Sequence, residues 1–174
     1  MRTTATLDTN AIAQVGLRRY LRTVSGRAND LYPAWDKVLD IIYKAQSELF
    51  EREGQKGEYG KWKALSPRYK AWKEKHVPGN PILQLTGRFW INMTRPSGQH
   101  TEIRERRRLT WGSHHIVSGG HDLGGIHAVG RENMPAREPI RITKTNVNDI
   151  ADTVVDYILD FDLGRSRQAW ELGY

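Results

Sequence analysis

Along the chain, apolar residues recur at three- and four-residue spacing in several stretches and alternate with polar ones in two shorter stretches. Trp35, Val38, Leu39, Ile42, Ala45, Leu49 and Phe50 fall on one side of a helix, with Asp36, Lys37, Asp40, Lys44 and Glu48 on the other. Such a stripe predicts an amphipathic helix packed on a core. Asp30 stands as a cap before it, Pro33 suits its first turn, and Gly54 and Gly57 break it inside the polar run 51–58. A closing helix is predicted over 146–161, capped by Asn146. It buries Val147, Ile150, Ala151, Val154, Ile158 and Phe161 and wets Asp149, Asp152, Asp156 and Asp160, with Gly164 as its stop. Leu17, Tyr20, Leu21 and Val24, opposite Arg18, Arg19 and Arg22, predict a first helix from Asp8 or Thr9 to Ser25–Gly26. Ser66-Pro67 supplies the cap and first residue of a short helix carrying Tyr69, Trp72 and Lys73.

Two stretches read as strands. Ile103, Leu109 and Trp111 partly alternate with polar residues over 100–112, and a turn near Glu105–Arg107 makes that stretch a hairpin. Residues 139–143, PIRIT, alternate as a strand does, whereas the glycine-rich 113–135 is the least regular part. Helices, then strands, then a helix make an α+β plan: a mainly antiparallel sheet packed with N-terminal helices and a long C-terminal helix. The expected division is an N-terminal helix or arm over 1–30, one α+β domain over 31–162, and a tail over 163–174.

Composition narrows the chemistry. The 174 residues include no Cys, which excludes disulfides, thiolate metal sites and a Cys nucleophile. No apolar run reaches the roughly 18–20 residues of a membrane span, and the opening MRTTATLDTN holds no apolar signal core. Four of the six histidines, His114, His115, His121 and His127, lie close together and raise a metal hypothesis. The His-His pair faintly resembles the start of an HNH nuclease site. No His follows His127 to close such a site, however, so these read as polar loop histidines. No phosphate-cradling G-x-x-x-x-G-K-[ST] loop and no G-x-S-x-G elbow occurs. No catalytic, metal or cofactor residue is assigned.

The net charge of +7 is unevenly spread. Residues 59–112 hold twelve Lys and Arg against three Asp and Glu, an excess of +9. A regional excess of that size marks a surface facing a polyanion or an acidic partner. Lys61, Lys63, Trp62 and the arginines Arg104, Arg106, Arg107 and Arg108 are the candidate interface or DNA-channel residues. Trp62, Tyr69 and Trp72 have ring faces able to stack on bases, although their apolar neighbours place most of them in the core. One reading is therefore a small basic DNA-binding or nuclease-like protein that uses residues 59–112.

Trp62, Leu65-Ser66-Pro67, Tyr69, Lys73 and Ile82-Leu83-Gln84-Leu85-Thr86-Gly87 are followed by Ile126-His127, Gly130, Met134-Pro135-Ala136-Arg137 and the closing helix. In order and spacing this series resembles the phage virion morphogenesis family, also described as tail completion proteins, over about residues 31–162. Two departures stand out: Gly125 precedes Ile126-His127, and Glu138-Pro139-Ile140 follows Arg137, where the family usually carries aromatics. The resemblance implies a non-enzymatic virion protein at the neck of a tailed phage, a tail terminator-like, ring-forming subunit, often hexameric. Its implied partners are copies of itself, the head-tail connector, the tail tube and, non-specifically, genomic DNA in the lumen, with no membrane. It implies assembly in the host cytoplasm and structural roles for Thr86, Gly87, His127, Pro135, Ala136 and Arg137. In that setting the basic hairpin faces the lumen or an acidic neighbour.

Overall fold

The computed structural model describes residues 9–113, 116–117, 121–131 and 134–159. Over these the chain is α+β, with six α-helices and two small antiparallel hairpins. The helices are α1 (Thr9–Asn29), α2 (Trp35–Glu51), α3 (Pro67–His76), α4 (Arg88–Thr94), α5 (Leu123–Val129) and α6 (Lys144–Leu159). The hairpins are β1 (His100–Arg104) with β2 (Leu109–Ser113), and β3 (Ile116–Val117) with β4 (His121–Asp122). No described helix is long and apolar enough to cross a membrane.

Helix α2 organises the rest because its apolar stripe is buried along its whole length. Its first half, Trp35, Val38, Leu39, Ile42 and Tyr43, packs against Leu109 and Trp111 of β2 and Ile150 and Val154 of α6. Its last turn, Leu49 and Phe50, packs against Trp62, Phe89 and Met93. The β1–β2 hairpin is tied to the start of α2 through its loop. The Trp35 indole N–H donates to Glu105 O (2.7 Å), and the Leu31 N–H donates to Arg106 O (2.6 Å). Between hairpin and helix, the Tyr43 hydroxyl donates to the Glu102 carboxylate and meets His100 Nε2, both at 2.9 Å. Burial pushes the Glu102 carboxyl up, but hydrogen bonds from Arg104, Tyr43 and His100 outweigh it and hold the group below the usual carboxylate range.

Several expectations change at this level. The sheet is not the main layer: helices dominate, and strands are confined to two short ribbons. Residues 139–143 form no strand. Pro139 offers no N–H to a ladder, and side chains hold the segment instead. Trp62 Nε1 donates to Glu138 O (2.9 Å), Arg141 Nη1 to Gly54 O and Gly60 O (2.9 and 2.7 Å), and Tyr59 Oη to Ile142 O (3.3 Å). Pro135 leads into this lashed coil. The glycine-rich 113–135 region contains β3, β4 and α5. Asp122 caps α5 by accepting from Gly124 N and Gly125 N.

Helix ends shift as well. α1 runs through Ser25–Gly26 to Asn29, and its Leu17 and Leu21 are exposed instead of buried. Pro33 sits in a 3-10 turn, Tyr32–Ala34, ahead of α2. α6 begins at Lys144, where Thr143 and Asn146 bond reciprocally: Asn146 N donates to Thr143 Oγ1 (3.2 Å) and Thr143 N to Asn146 Oδ1 (3.3 Å). Asn146 is thus inside the first turn, not the cap. Val147 and Ala151, expected in the buried face of α6, are exposed. Asp149, Asp152 and Asp156 are exposed as expected, while Phe161, Asp160, Gly164 and the 163–174 tail lie outside the described residues.

The core residue Gln46 departs from the rule that buried polar groups are paired at both of its amide atoms. Gln46 is wholly buried on α2, and neither Oε1 nor Nε2 has a hydrogen-bond partner among the described residues. Each orphaned amide atom costs about 1–3 kcal/mol of desolvation. Gln46→Met keeps the length and removes both polar atoms, so it is expected to stabilise the fold by about 1–2 kcal/mol. A urea midpoint that falls in the variant would show that the amide is paired in solution.

Candidate functional site

A cleft of about 970 Å³ opens on one side of the molecule. It lies between α3, the 83–89 segment, α5 and the 134–137 segment. Four local features build it. Ser66 caps α3 by accepting from Tyr69 N, and Pro67 opens the helix, which sets Tyr69 and Lys73 on the cleft side. Gly87 takes φ +76°, a left-handed conformation open to glycine, and turns the 83–87 segment into α4. Helix α5 presents Leu123 and His127. Gly130, at φ +79°, then reverses the chain so that Arg137 N donates back to His127 O (2.7 Å).

Two cations are buried here without carboxylate partners. Arg137 is 3% exposed, and Nε and Nη2 donate to Lys63 O (2.6 Å) and Ala64 O (2.8 Å). Lys73 is buried on α3, and its Nζ donates to Pro81 O. Among the described residues no Asp or Glu oxygen lies within 4 Å of either. Burial lowers the pKa of both groups; the Glu53 charge partly offsets this for Lys73, as Tyr69 does for Arg137. These side chains act as clamps: Arg137 ties the end of the cleft to the 63–64 loop, and Lys73 ties α3 to the 78–81 turn.

His127 completes the wall. Its Nδ1 is buried with no hydrogen-bond partner among the described residues, and its ring lies 6.2 Å from that of Phe89. Burial, and then the Arg137 charge, pushes the imidazole below its ordinary pKa. The folded state therefore holds fewer protons on His127 than the unfolded chain does. The stability this contributes is whole above the unfolded value of about 6.5 and is lost as pH falls through the lower folded value. Urea midpoints at about pH 5.5 and about pH 7.5 are expected to differ more in the wild type than in His127→Gln. Equal differences in the two proteins would refute the assignment.

The residues singled out in the sequence separate into two groups. Thr86, Gly87, His127, Pro135 and Arg137 all line the cleft, together with Leu65, Ser66, Tyr69 and Lys73 of the same series; Ala136 sits between two of them. The basic candidates do not form one surface patch. Trp62 is a core residue, 4% exposed, with Phe50 edge-on at 5.3 Å and its indole N–H given to Glu138 O. It presents no ring to a nucleic acid, which corrects its place among the interface candidates. Lys61 and Lys63 are exposed. Arg104 is paired with Asp36 and Glu102, and Arg108 with Glu105. Arg106 and Arg107 stand exposed at the hairpin loop with no acidic partner among the described residues.

Tyr69 and Trp72, expected mostly in the core, are exposed on α3. They stack at 5.5 Å, and Trp72 stacks on His76 at 4.5 Å. His114 and His115 lie outside the described residues. Among those described, no group of three or more His, Asp or Glu is placed to hold a metal ion. Charge alone does not separate the buried clamps Lys73 and Arg137 from the exposed cations around them; the motif series names both.

Compared with family models, with curated proteins and with solved structures, the chain matches none of them.

Proposed function

We propose that this chain is a structural virion subunit of a tailed phage, a tail completion or tail terminator-like neck protein. It assembles in the host cytoplasm as a homo-oligomeric, hexameric ring that joins the tail tube to the head-tail connector. The observation that carries this reading is the convergence of the separate motif pieces on one cleft. Leu65-Ser66, Tyr69, Lys73, Leu83 to Gly87, His127 and Met134-Pro135 with Arg137 come from four chain segments and line the same concavity. Exposed apolar side chains on α1 and α6, Leu17, Leu21, Val155 and Leu159, suit a subunit that buries further surface against copies of itself. Mass photometry and negative-stain microscopy of the purified chain test it. Six 20.0 kDa subunits give a closed particle of about 120 kDa, and a strict monomer at every concentration would overturn the proposal.

The hairpin arginines sharpen the assembly test. Arg104 and Arg108 are already neutralised within the subunit, which leaves Arg106 and Arg107 for an acidic neighbour or for DNA. The double variant Arg106→Glu/Arg107→Glu is expected to leave subunit stability within about 0.5 kcal/mol. It should weaken ring assembly at least about tenfold, or abolish non-specific DNA retention by the ring. Unchanged assembly together with unchanged DNA retention would remove the hairpin from the proposal.

A second reading, a small DNA-binding protein, is favoured by the exposed Tyr69–Trp72–His76 stack on a helix that also carries Arg68, Lys70 and Lys75. It predicts tight binding of single-stranded DNA that falls steeply with salt. Weak binding by a large oligomer favours the ring.

A further inference from the structure

The cleft has a one-sided chemistry. Among the described residues its lining contains Lys73, Arg88, His127 and Arg137 and no Asp or Glu. The remaining wall is mostly apolar and includes Leu83, Phe89, Leu123 and Met134. Among the described residues Arg137 is buried without a counter-charge, and its Nη1 has only a long 3.5 Å contact to Pro135 O. His127 Nδ1 is buried and unpartnered among the described residues. Buried cations without a counter-charge are costly, and an incoming anion relieves that cost. A volume near 970 Å³ takes a few side chains of a polypeptide.

We propose that this cleft is a docking site for an acidic, apolar segment of a partner polypeptide. A carboxylate of the segment pairs with Arg88 at the rim and meets the field of Lys73 and Arg137, while its apolar neighbours cover Leu83, Phe89 and Leu123. Charge complementarity selects an acidic partner, and the apolar wall selects a peptide over a nucleic-acid strand, whose phosphates would leave that wall uncovered. This inference rests on the cleft alone, so it stands or falls separately from ring assembly.

The test uses the full-length chain and fluorescent pentapeptides that alternate Leu or Phe with Glu, each with a twin in which Gln replaces Glu. Anisotropy titrations at low ionic strength measure affinity, and a photo-crosslinking aromatic in the peptide maps its seat by mass spectrometry. The expected result is at least one Glu peptide bound about tenfold or more tightly than its Gln twin. Crosslinks should fall on residues 65–73, 83–89 or 134–137, and Arg88→Gln and Lys73→Met should each shrink the Glu–Gln difference. Arg88 is exposed, so its variant keeps the fold even where Lys73→Met does not. Absence of peptide binding, equal affinity of the twins, crosslinks outside the cleft, or a difference that survives Arg88→Gln would overturn the proposal. Preference for the isolated acid acetylglutamate over every peptide would also overturn it, in favour of a small-molecule site.

Discussion

Phe50→Ala is expected to destabilise the fold by about 3–5 kcal/mol, enough to unfold much of the protein at moderate urea. Phe50 is fully buried at the last turn of α2, where it meets Trp62 edge-on at 5.3 Å and Phe89 at 5.9 Å. Leu49 and Met93, both fully buried, complete the cluster. Truncation removes the transfer energy of a phenyl ring and leaves a cavity between a helix, a loop and α4. Their positions are set by other bonds, such as Trp62 Nε1 to Glu138 O, so they cannot collapse into it. Both aromatic edge contacts vanish as well, each worth about 0.5–1.5 kcal/mol beyond area. Chemical denaturation monitored by tryptophan fluorescence measures the loss. A change below about 1.5 kcal/mol would mean that this end of α2 repacks freely.

Gly130→Ala is expected to cost about 3 kcal/mol or more and to open the cleft. Gly130 has φ +79° with ψ 179°, a conformation that L residues rarely adopt. A Cβ there would stand 2.7 Å from Ala136 N and 2.8 Å from Met134 O. Both are main-chain atoms, so no side chain can swing aside. The clash falls on the strap that carries Pro135 and Arg137, and the Arg137 bonds to Lys63 O and Ala64 O should loosen with it. Gly79→Ala is the control. It shares a positive φ of +78° but meets nothing within 4 Å, so it should carry only the backbone term of about 1–2 kcal/mol. If the two variants lose the same stability, the close approach of the 134–136 strap is not what restricts position 130.

The α2 stripe, the Ser66-Pro67 start and the hairpin over 100–113 were legible because each is a local pattern with a local cause. A helix repeats its faces every 3.6 residues, a serine caps the N–H groups three residues on, and a turn joins neighbouring strands. Residues 139–143 show where a local pattern misleads. Ile140 and Ile142 alternate as in a strand, yet Tyr59 takes the Ile142 carbonyl and Trp62 that of Glu138 just before the stretch, side chains about eighty residues away in sequence. Helix α5 was hidden because Gly124 and Gly125 are poor helix formers, and its start depends on Asp122 accepting from both of their N–H groups.

The motif series was readable as an ordered list of residues, and the one-dimensional charge excess as a number. Hydrophobic periodicity, capping residues and turn chemistry act over a few residues, so they specify helices and the hairpin wherever the chain goes. Burial of single groups acts at a distance. Folding withdraws Trp62 and Lys73 of the basic stretch, and Arg137 from beyond it, into the interior, leaves Tyr69 and Trp72 outside, pairs Arg104 and Arg108 with acids, and gathers four separated segments around one cation-lined cleft. A lysine or arginine looks the same in sequence whether water or a main-chain carbonyl receives its hydrogen bonds, and that choice belongs to the packed chain.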